Sequence, residues 1–275
     1  MIKKVSCANV SLVFFDKYLK GNVESQKFLI LENLLKTLND DINIDKILLV
    51  DNSPYNYLKK KILKFSKVVY IFVNKNIGFS KGHNLSRKYL SSQNYHLIIN
   101  PDIVIEDKQL ISNLINYLDK NSNISMIQPL IIGYPDYQIQ YLCKRNPTLL
   151  IQILRAFFNK FIQKYKFLRL YNEKYEMRDL AYKNKVVESS YLSGAFMLCR
   201  TKNLNKVSWF DERFFMYLED ADLTRRLSMF GRCVHYPFLK VRHVWARGSH
   251  KNQLLKIIAI FSFFKYSLKW GLKIF

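Results

Sequence analysis

Strand-like and helix-like segments alternate through the first 120 residues, and this alternation limits the possible folds more than any other feature of the chain. Short apolar runs predict strands at Val5–Phe15, Lys46–Val50, Val68–Val73 and His96–Ile99. Helical spacing of apolar residues predicts a helix opening near Ser80 and helices at Glu24–Leu38, Tyr57–Phe65 and Asp107–Leu118. Such an order is typical of an α/β protein with a mostly parallel sheet and helices on both faces.

Polar residues follow three of these strands, at the edge where parallel sheets bind their ligands. Asp51–Asn52–Ser53–Pro54 follows the second strand, and Asn100–Pro101–Asp102 follows the fourth. Each can also be an ordinary turn, because Asn, Asp and Pro are common in turns. Asp102 is nevertheless suitably placed for a hard divalent ion, which takes carboxylate oxygens as ligands.

The loop after the third strand, residues 74–84, contains Gly78 and Gly82 beside the start of a helix. Glycines at such a position let backbone N–H groups approach a diphosphate closely. A plain loop with a helix cap would also use glycine, serine and asparagine. Composition alone therefore leaves both interpretations open.

Residues 210–227 join an aromatic segment to the acidic start of a helix. Glu219, Asp220 and Asp222 fall in the first turn, where acids suit the positive end of the helix dipole. Pairing of Asp222 with Arg225 or Arg226 would account for the charges alone. A second role is suggested by the aromatic residues, because desolvation raises the pKa of a carboxylate and makes it a usable general base. These aromatic residues are Trp209, Phe210, Phe214, Phe215 and Tyr217.

The chain is strongly basic, with 44 lysines and arginines against 21 acidic residues and a formal net charge of +23. Such an excess requires an anionic partner: nucleic acid, anionic lipid or a polyphosphate substrate. A hydrophobic fraction of 49% excludes a disordered chain. The four cysteines have no metal-type spacing, and we expect reduced core thiols in a cytosolic protein. They are Cys7, Cys143, Cys199 and Cys233.

Two basic segments rich in apolar residues interrupt and end the α/β pattern. Within residues 141–185, an apolar stripe at helical spacing predicts either a core-facing helix with a solvated basic face or a helix on an anionic membrane surface. The tail, Gln253–Phe275, predicts an amphipathic helix that either anchors at a membrane interface or packs on the core. The stripe of the first segment consists of Leu150, Leu154, Phe157, Phe158, Phe161 and Ile162.

Together these motifs resemble the family 2 inverting glycosyltransferases of bacteria, particularly their rhamnosyltransferase-like branch. The family segment F-D-E-x-F-F-x-Y-x-E-D-x-D-L-x-x-R stands almost complete at residues 210–226. Four further motifs, V-D-N-S, N-x-G-F-(S/G)-x-G-x-N, N-P-D and S-G-A-x-M-L, match at residues 50–53, 76–84, 100–102 and 193–198. Two departures are the missing T-Y-N of the first strand and a longer gap between His243 and the following glycine.

The resemblance implies a GT-A-type, Rossmann-like α/β fold that binds a nucleoside-diphosphate sugar and Mg²⁺ or Mn²⁺. It implies that Asp220 is the general base of a single displacement with inversion, and that Asp102 and His243 are the metal ligands. Glu219, Trp245 and Arg247 are expected at the acceptor. The donor-binding residues that it implies are Asp51, Asn52, Asn76, Gly78, Phe79, Gly82, Asn84, Asn100 and Gly194.

We therefore predict transfer of a sugar, foremost rhamnose from dTDP-rhamnose, to a lipid-linked oligosaccharide in bacterial surface polysaccharide (O-antigen or capsule) synthesis. UDP-galactose and UDP-glucose remain alternative donors, and a basic nucleic-acid-binding protein is the alternative from another class. The predicted parts are a nucleotide-sugar-binding half (residues 1–140), an insert with the acceptor and catalytic half (141–250) and a helical tail (251–275). We expect a cytoplasmic enzyme, peripheral on the inner face of the cytoplasmic membrane, whose charge meets anionic lipid rather than nucleic acid.

Overall fold

A large twisted sheet forms the centre of the computed structural model, which describes residues 6–17, 26–244 and 253–275. Its first four strands are β1 (Ala8–Phe14), β2 (Ile44–Asp51), β3 (Val68–Phe72) and β4 (Tyr95–Ile99). They pair in parallel in the order β3-β2-β1-β4. Their carboxyl ends therefore meet at one edge of the sheet, which confirms the strand arrangement that the sequence predicts.

Helices cover this part of the sheet. They are α1 (Gln26–Asp40), α2 (Lys59–Ile62), α3 (Phe79–Asn84) and α4 (Ser86–Tyr89). The apolar stripe of α1 is buried, as expected for a helix that lies against a sheet. Most residues of β1 and β2 are buried as well, because such strands are covered on both faces.

The second half of the sheet contains strands of both orientations. In chain order the remaining elements are β5 (Ile103–Val104), α5 (Leu110–Lys120), β6 (Ile124–Gly133), β7 (Cys143–Lys144), α6 (Leu149–Phe157), α7 (Asn159–Lys164), α8 (Lys166–Tyr175), β8 (Val187–Glu188), β9 (Tyr191–Leu192), β10 (Phe196–Arg200), α9 (Thr201–Lys206), α10 (Glu219–Leu227), β11 (Arg232–His243) and α11 (Gln253–Trp270). β10 is antiparallel to β4 and β6, whereas the long β11 is parallel to β6 and antiparallel to β5 and β8. β7 and β9 form a separate antiparallel pair. The predicted α/β class with a mostly parallel, helix-flanked sheet is confirmed.

The helix predicted at Tyr57–Phe65 is wrong in extent, because only the single turn of α2 forms. Leu58 and Ile62, one turn apart, are buried, while Leu63 between Ile62 and Phe65 is 72% exposed. Phe65, the next residue of the stripe, is buried too, but its N–H bonds the Ile62 carbonyl three residues back at 3.1 Å, so α-helical bonding ends at Ile62.

The basic insert is helical, as predicted, but its apolar stripe does not lie on one continuous helix, because the segment forms three short helices, α6, α7 and α8. The chain leaves helical geometry at Phe158 and again at Tyr165. Leu154 and Ile162 are buried, but Phe157, Phe158 and Phe161 are 45–59% exposed, so they do not face the core. Arg155 is only partly exposed and pairs with Glu176 at 2.6 Å, so it does not belong to a fully solvated basic face.

The tail forms a helix, α11, as predicted, and packs on the core along one face only. Phe263 and Tyr266 are buried beside Phe214 and Leu218, and the Ser262 hydroxyl donates to the Met216 carbonyl at 2.7 Å. Six large apolar residues on α11 are exposed: Leu254, Ile257, Ile260, Phe261, Phe264 and Leu268. Their spacing places them on one stripe of the helix. Within the described residues, no helix has the length and hydropathy of a membrane span.

The cysteines are free thiols. Cys143, Cys199 and Cys233 are buried, and burial raises the pKa of the Cys143 and Cys233 thiols to about 12. Protonated, buried thiols are unreactive, so the prediction of core thiols is confirmed for these three. Cys7 is partly exposed.

Candidate active site

Asp51 lies at the end of β2 and is fully buried. One carboxylate oxygen accepts the Ser53 N–H at 2.9 Å, and the other accepts the Tyr70 hydroxyl at 2.7 Å. Burial and this bond raise the pKa of Tyr70. The side chain of Asp51 is therefore fixed in one orientation at the sheet edge.

The loop between β3 and α3 is held against β2 by side-chain amides. Asn52 Nδ2 donates to Asn76 Oδ1 and to the Gly78 carbonyl, each at 3.4 Å, and Asn76 Oδ1 accepts the Gly78 N–H at 3.0 Å. Gly78 has φ +87°, and a Cβ there would lie 2.5 Å from the Phe215 carbonyl oxygen. Only glycine suits both the backbone angle and the contact. The loop is thereby joined to the acidic segment.

Helix α3 itself is joined to the acidic segment by Asn84. Its Nδ2 donates to the Phe210 carbonyl at 2.9 Å and to Glu212 Oε1 at 3.0 Å, and its Oδ1 accepts the Phe210 N–H at 3.0 Å. Gly82, on the same helix, allows close contact with Val13 of β1, since a Cβ there would lie 2.5 Å from a Val13 methyl carbon. In this structure both residues connect elements of the site to one another.

Asp102 and His243 meet at the edge of β5 and β11. His243 Nε2 lies 3.2 Å from Asp102 Oδ1, and the Val244 N–H donates to the Asp102 carbonyl at 2.9 Å. Asp102 Oδ1 is buried and has no hydrogen-bond donor. The structure therefore brings the two predicted metal ligands together.

A third residue, Gln140, determines which nitrogen of His243 carries the proton. Gln140 Nε2 donates to the His243 carbonyl at 3.0 Å, so the amide cannot be reversed without opposing two oxygens. Its Oε1 then lies 2.8 Å from His243 Nδ1, which must be the N–H of the neutral ring. When the ring is neutral, Nε2 therefore carries the lone pair on the side of Asp102.

This donor set fits a divalent cation. When the ring of His243 is neutral, no hydrogen lies between its Nε2 and Asp102 Oδ1, and these two electron-pair donors are 3.2 Å apart. Two ligands at right angles, each about 2.1 Å from Mg²⁺, lie about 3 Å apart. The described residues contain no group of three or more His, Cys, Asp or Glu suited to a metal, so phosphate or water oxygens would complete the coordination.

Helix α10 begins with the three predicted carboxylates, after Tyr217 and Leu218 in the left-handed backbone region. Asp220 is buried; its Oδ2 accepts the Gly194 N–H at 3.0 Å and its Oδ1 accepts the Ala221 N–H at 2.9 Å. Glu219 is also buried, and its Oε2 has no partner. Burial raises the pKa of both carboxyls, which makes each a stronger base than an exposed carboxylate.

The third carboxylate, Asp222, is fully buried and fully paired. Its Oδ2 binds Arg226 at 2.8 Å, and its Oδ1 accepts from Trp270 Nε1 and from Lys269 Nζ at 2.8 Å each. Of the two arginines that the sequence offers, the structure therefore selects Arg226. Because Trp270 and Lys269 belong to α11, Asp222 attaches the tail helix to α10.

Asp220 is connected through Gly194 to the loop of α3 and to the turn of Asp102. A Cβ at Gly194 would lie 2.9 Å from the Phe79 ring and 3.6 Å from Asp220 Cβ. The next residue, Ala195, accepts the Asn100 N–H at 3.0 Å through its carbonyl. One short backbone segment thus contacts Asp220, the loop of α3 and the turn that carries Asp102.

Sequence reasoning missed two residues of the site. Burial, with a contribution from the charge of Arg155, lowers the pKa of Lys144 to about 8. The positive charge of Lys144 in turn offsets part of the rise that burial causes in the pKa of Asp220. Neither Lys144 nor Gln140 stands in a motif, and nothing distinguishes Lys144 from the other basic residues until the fold is known. Two predicted acceptor residues, Trp245 and Arg247, lie outside the described residues.

Comparison with known proteins gives relatives in sequence and in fold. No family model matches the chain. Rhamnosyltransferase WbbL of Escherichia coli (strain K12) is 27% identical over 253 residues, which cover 88% of this chain and 85% of the relative. An N-acetylglucosaminyl-diphospho-decaprenol L-rhamnosyltransferase of Mycobacterium tuberculosis is 37% identical over 78 residues, or 26% of this chain and 25% of the relative.

Among solved structures, the crystal structure of GalNAc-T7 with UDP, GalNAc and Mn²⁺ is similar, with a TM-score of 0.61 and 13% identity. The match covers 88% of this chain but only 43% of that one. At this identity the likeness concerns the fold alone, which is that of the GT-A glycosyltransferases. The sequence and fold likenesses together confirm the resemblance of this chain to the family 2, GT-A glycosyltransferases, in their rhamnosyltransferase-like branch.

Proposed function

We propose that the protein is a metal-dependent, inverting glycosyltransferase that transfers a sugar from a nucleoside diphosphate to a lipid-linked acceptor. The observation that carries the proposal is the position of Asp220, a buried carboxylate with a raised pKa that is bonded to Gly194. Through Ala195 the same segment is bonded to the turn of Asp102. Displacement of a diphosphate by a hydroxyl requires a base and a metal-ligating carboxylate that are held close together, and one backbone segment connects the two here.

In the proposed mechanism Asp220 removes the proton of the acceptor hydroxyl as its oxygen attacks the anomeric carbon. The bond from that carbon to the diphosphate breaks in the same step, and the configuration inverts. Asp102 and His243 would hold Mg²⁺ or Mn²⁺, which supplies positive charge to the leaving diphosphate. Glu219, next to the base, is proposed to contact the acceptor. The aromatic residues around α10 exclude water and so maintain the basicity of Asp220.

The donor is proposed to lie along the carboxyl ends of β2, β3 and β4. Asp51 and Asn52 would contact the nucleotide base, and the loop of Gly78 and Gly82 would bring backbone N–H groups to the diphosphate. Asn76, Phe79, Asn84, Asn100 and Gly194 complete the proposed donor side. We propose dTDP-rhamnose as the donor, supported by the rhamnosyltransferase names of both relatives, over UDP-galactose or UDP-glucose.

The acceptor is proposed to be lipid-linked, and the protein to bind the cytoplasmic membrane peripherally during surface polysaccharide synthesis. The M. tuberculosis relative is named for a diphospho-decaprenol acceptor. The exposed stripe of α11 offers Ile257, Phe261 and Phe264 to a membrane interface, with Lys256 and Lys265 on the same helix. Anionic lipid accounts for the net charge of +23 without a nucleic-acid site.

Binding of a panel of nucleotide sugars, with and without Mn²⁺, tests this function in wild type and Asp102→Ala. We expect metal-dependent binding of one donor, weakened in the variant. If the protein binds none of the donors and instead binds DNA tightly and in a salt-sensitive way, the proposal is overturned in favour of a nucleic-acid-binding protein.

A further inference from the structure

A cavity of about 430 Å³ lies between α8, the segment that joins β7 to α6, and the C-terminal tail. Its volume is within the range of about 300–1,000 Å³ that is usual for small-molecule sites. None of the residues proposed above for the donor or the metal lines it. It is therefore a second candidate binding site.

The cavity is lined by three cationic side chains, Arg145, Lys174 and Lys273, and by no acidic residue within the described parts of the chain. Arg145 is already bound to Asp179 through both terminal nitrogens, at 3.2 and 3.0 Å. Neither lysine has an ion pair within 4.0 Å among the described carboxylates. Lys174 acts on the same carboxylate, since its charge also contributes to lowering the pKa of Asp179, after the Arg145 bond. Three cations beside one carboxylate leave net positive charge, which suits a ligand with more than one negative charge.

The polar end of this cavity lies near the proposed general base. Tyr175 lines the cavity, and the charge of Asp220 is among the causes that raise its pKa, after burial. Ser190 also lines the cavity, and its neighbour Tyr191 has a pKa raised by burial and then by the charge of Asp220. Ser190 directly precedes β9, whose Leu192 N–H donates to the Thr224 hydroxyl of α10 at 3.2 Å, and that hydroxyl donates to the Asp220 carbonyl at 2.7 Å, so the cavity wall packs against the helix of the base. A ligand in the cavity would therefore lie next to the elements that hold the base.

The other end of the cavity opens on apolar surface. Phe275 lines the cavity and is 80% exposed, which places it at the rim. On α8, Phe167 and Leu170 lie on the same helical face as Lys174, and they are 68% and 52% exposed. A cationic cavity with an apolar rim matches an anionic headgroup attached to a hydrocarbon chain.

We propose that this cavity binds the diphosphate of a polyprenyl-diphosphate-linked acceptor, with the prenyl chain along Phe275, Leu170 and Phe167. The inference rests on the proposed function, because only a transferase with a lipid-linked acceptor needs such a site beside its base. The donor diphosphate is a different ligand, since it carries no apolar chain and is assigned to the metal and the loop of Gly78. Diphosphate and hydrocarbon together distinguish the acceptor from both a nucleotide and a simple anion.

Farnesyl diphosphate and inorganic pyrophosphate are suitable probes, titrated into the whole protein in EDTA by calorimetry. The test variant is Lys174→Gln/Lys273→Gln, in which two exposed side chains change and no described ion pair is lost. The matched control is Lys160→Gln/Lys166→Gln, which removes two exposed lysines of the insert that do not line the cavity. Flotation with phosphatidylglycerol vesicles measures general attraction to anionic lipid in the same proteins.

We expect wild type to bind farnesyl diphosphate more tightly than pyrophosphate, because only the former reaches the apolar rim. The test variant should lose about tenfold or more in affinity for both probes. The control should change by about twofold or less, while binding phosphatidylglycerol vesicles more weakly than wild type does. No binding of farnesyl diphosphate by wild type, an unchanged test variant, or equal losses in the two variants would overturn the proposal.

Donor binding in Mn²⁺, measured on the same proteins, separates this inference from the function on which it rests. If one nucleotide sugar binds but farnesyl diphosphate affinity does not depend on Lys174 and Lys273, the cavity assignment alone is wrong. If wild type binds no nucleotide sugar, the transferase function itself fails, whatever the cavity binds.

Discussion

Replacing Gln140 by Met tests the tautomer argument at the proposed metal site. The methionine keeps the length of the side chain but removes the acceptor for His243 Nδ1–H and the donor for the His243 carbonyl. Loss of a partner that orients a metal-ligating histidine lowers metal affinity by about 10–100-fold. That range corresponds to about 1.4–2.7 kcal/mol in binding free energy. Each buried group left unpaired also costs about 1–3 kcal/mol of folding stability.

Two measurements separate orientation of the histidine from loss of stability. Titration of Mn²⁺, followed by the electron paramagnetic resonance of the free ion, gives metal affinity without any turnover. Nitrogen NMR of the metal-free protein reports whether the neutral ring of His243 carries its proton on Nδ1. We expect wild type to show the Nδ1–H form, and Gln140→Met to lose this preference along with Mn²⁺ affinity.

Two further variants control for this prediction. Gln140→Glu keeps an acceptor for Nδ1–H but places an oxygen against the His243 carbonyl, so it should lose stability while retaining more Mn²⁺ affinity than Gln140→Met does. Gln128→Met removes another buried amide, which donates to the Ser193 and Phe196 carbonyls at 2.7 and 2.8 Å and not to His243. It should lower stability without changing the tautomer. Unchanged Mn²⁺ affinity in Gln140→Met, alongside a clear loss in His243→Ala, would refute the reasoning.

Three other predictions concern the acidic segment. Asp220→Asn should lower kcat by about 10²–10⁴-fold, and steady-state kinetics with donor titration should show little change in donor affinity. Lys144→Met should move the acid limb of the kcat/KM profile to higher pH, because the lysine charge lowers the pKa of a base that must be deprotonated; an unmoved limb would contradict this. Asp222→Ala should cost about 3–5 kcal/mol in urea unfolding, because Arg226 loses its carboxylate partner, whereas Lys269 keeps Asp211 at 2.8 Å; a loss below about 1 kcal/mol would show the Arg226 pair to be weak.

The sequence predicted the parallel strands well because their apolar runs are local and bounded by polar turns. The sequence also predicted that Asp102 and His243 share a metal site, but only through the family resemblance, since the two residues are 141 positions apart in the chain. The insert was predicted less well, because the helical spacing of its apolar residues cannot show that the chain leaves helical geometry at Phe158 and Tyr165. Gln140 and Lys144 were missed because their roles come from partners distant in the chain, to which no local pattern points.

The acidic segment connects catalysis to the surface that we propose for lipid. Asp220 and Asp222 lie two residues apart on α10, so they project from the helix in different directions. Asp220 turns to Gly194 and the donor side, whereas Asp222 holds Trp270 and Lys269 of α11. Because one helix carries both, the stripe of α11 that we propose to face lipid has a fixed relation to the base. A lipid-linked hydroxyl that reaches the protein from the membrane would then meet Asp220 without any rearrangement of the tail.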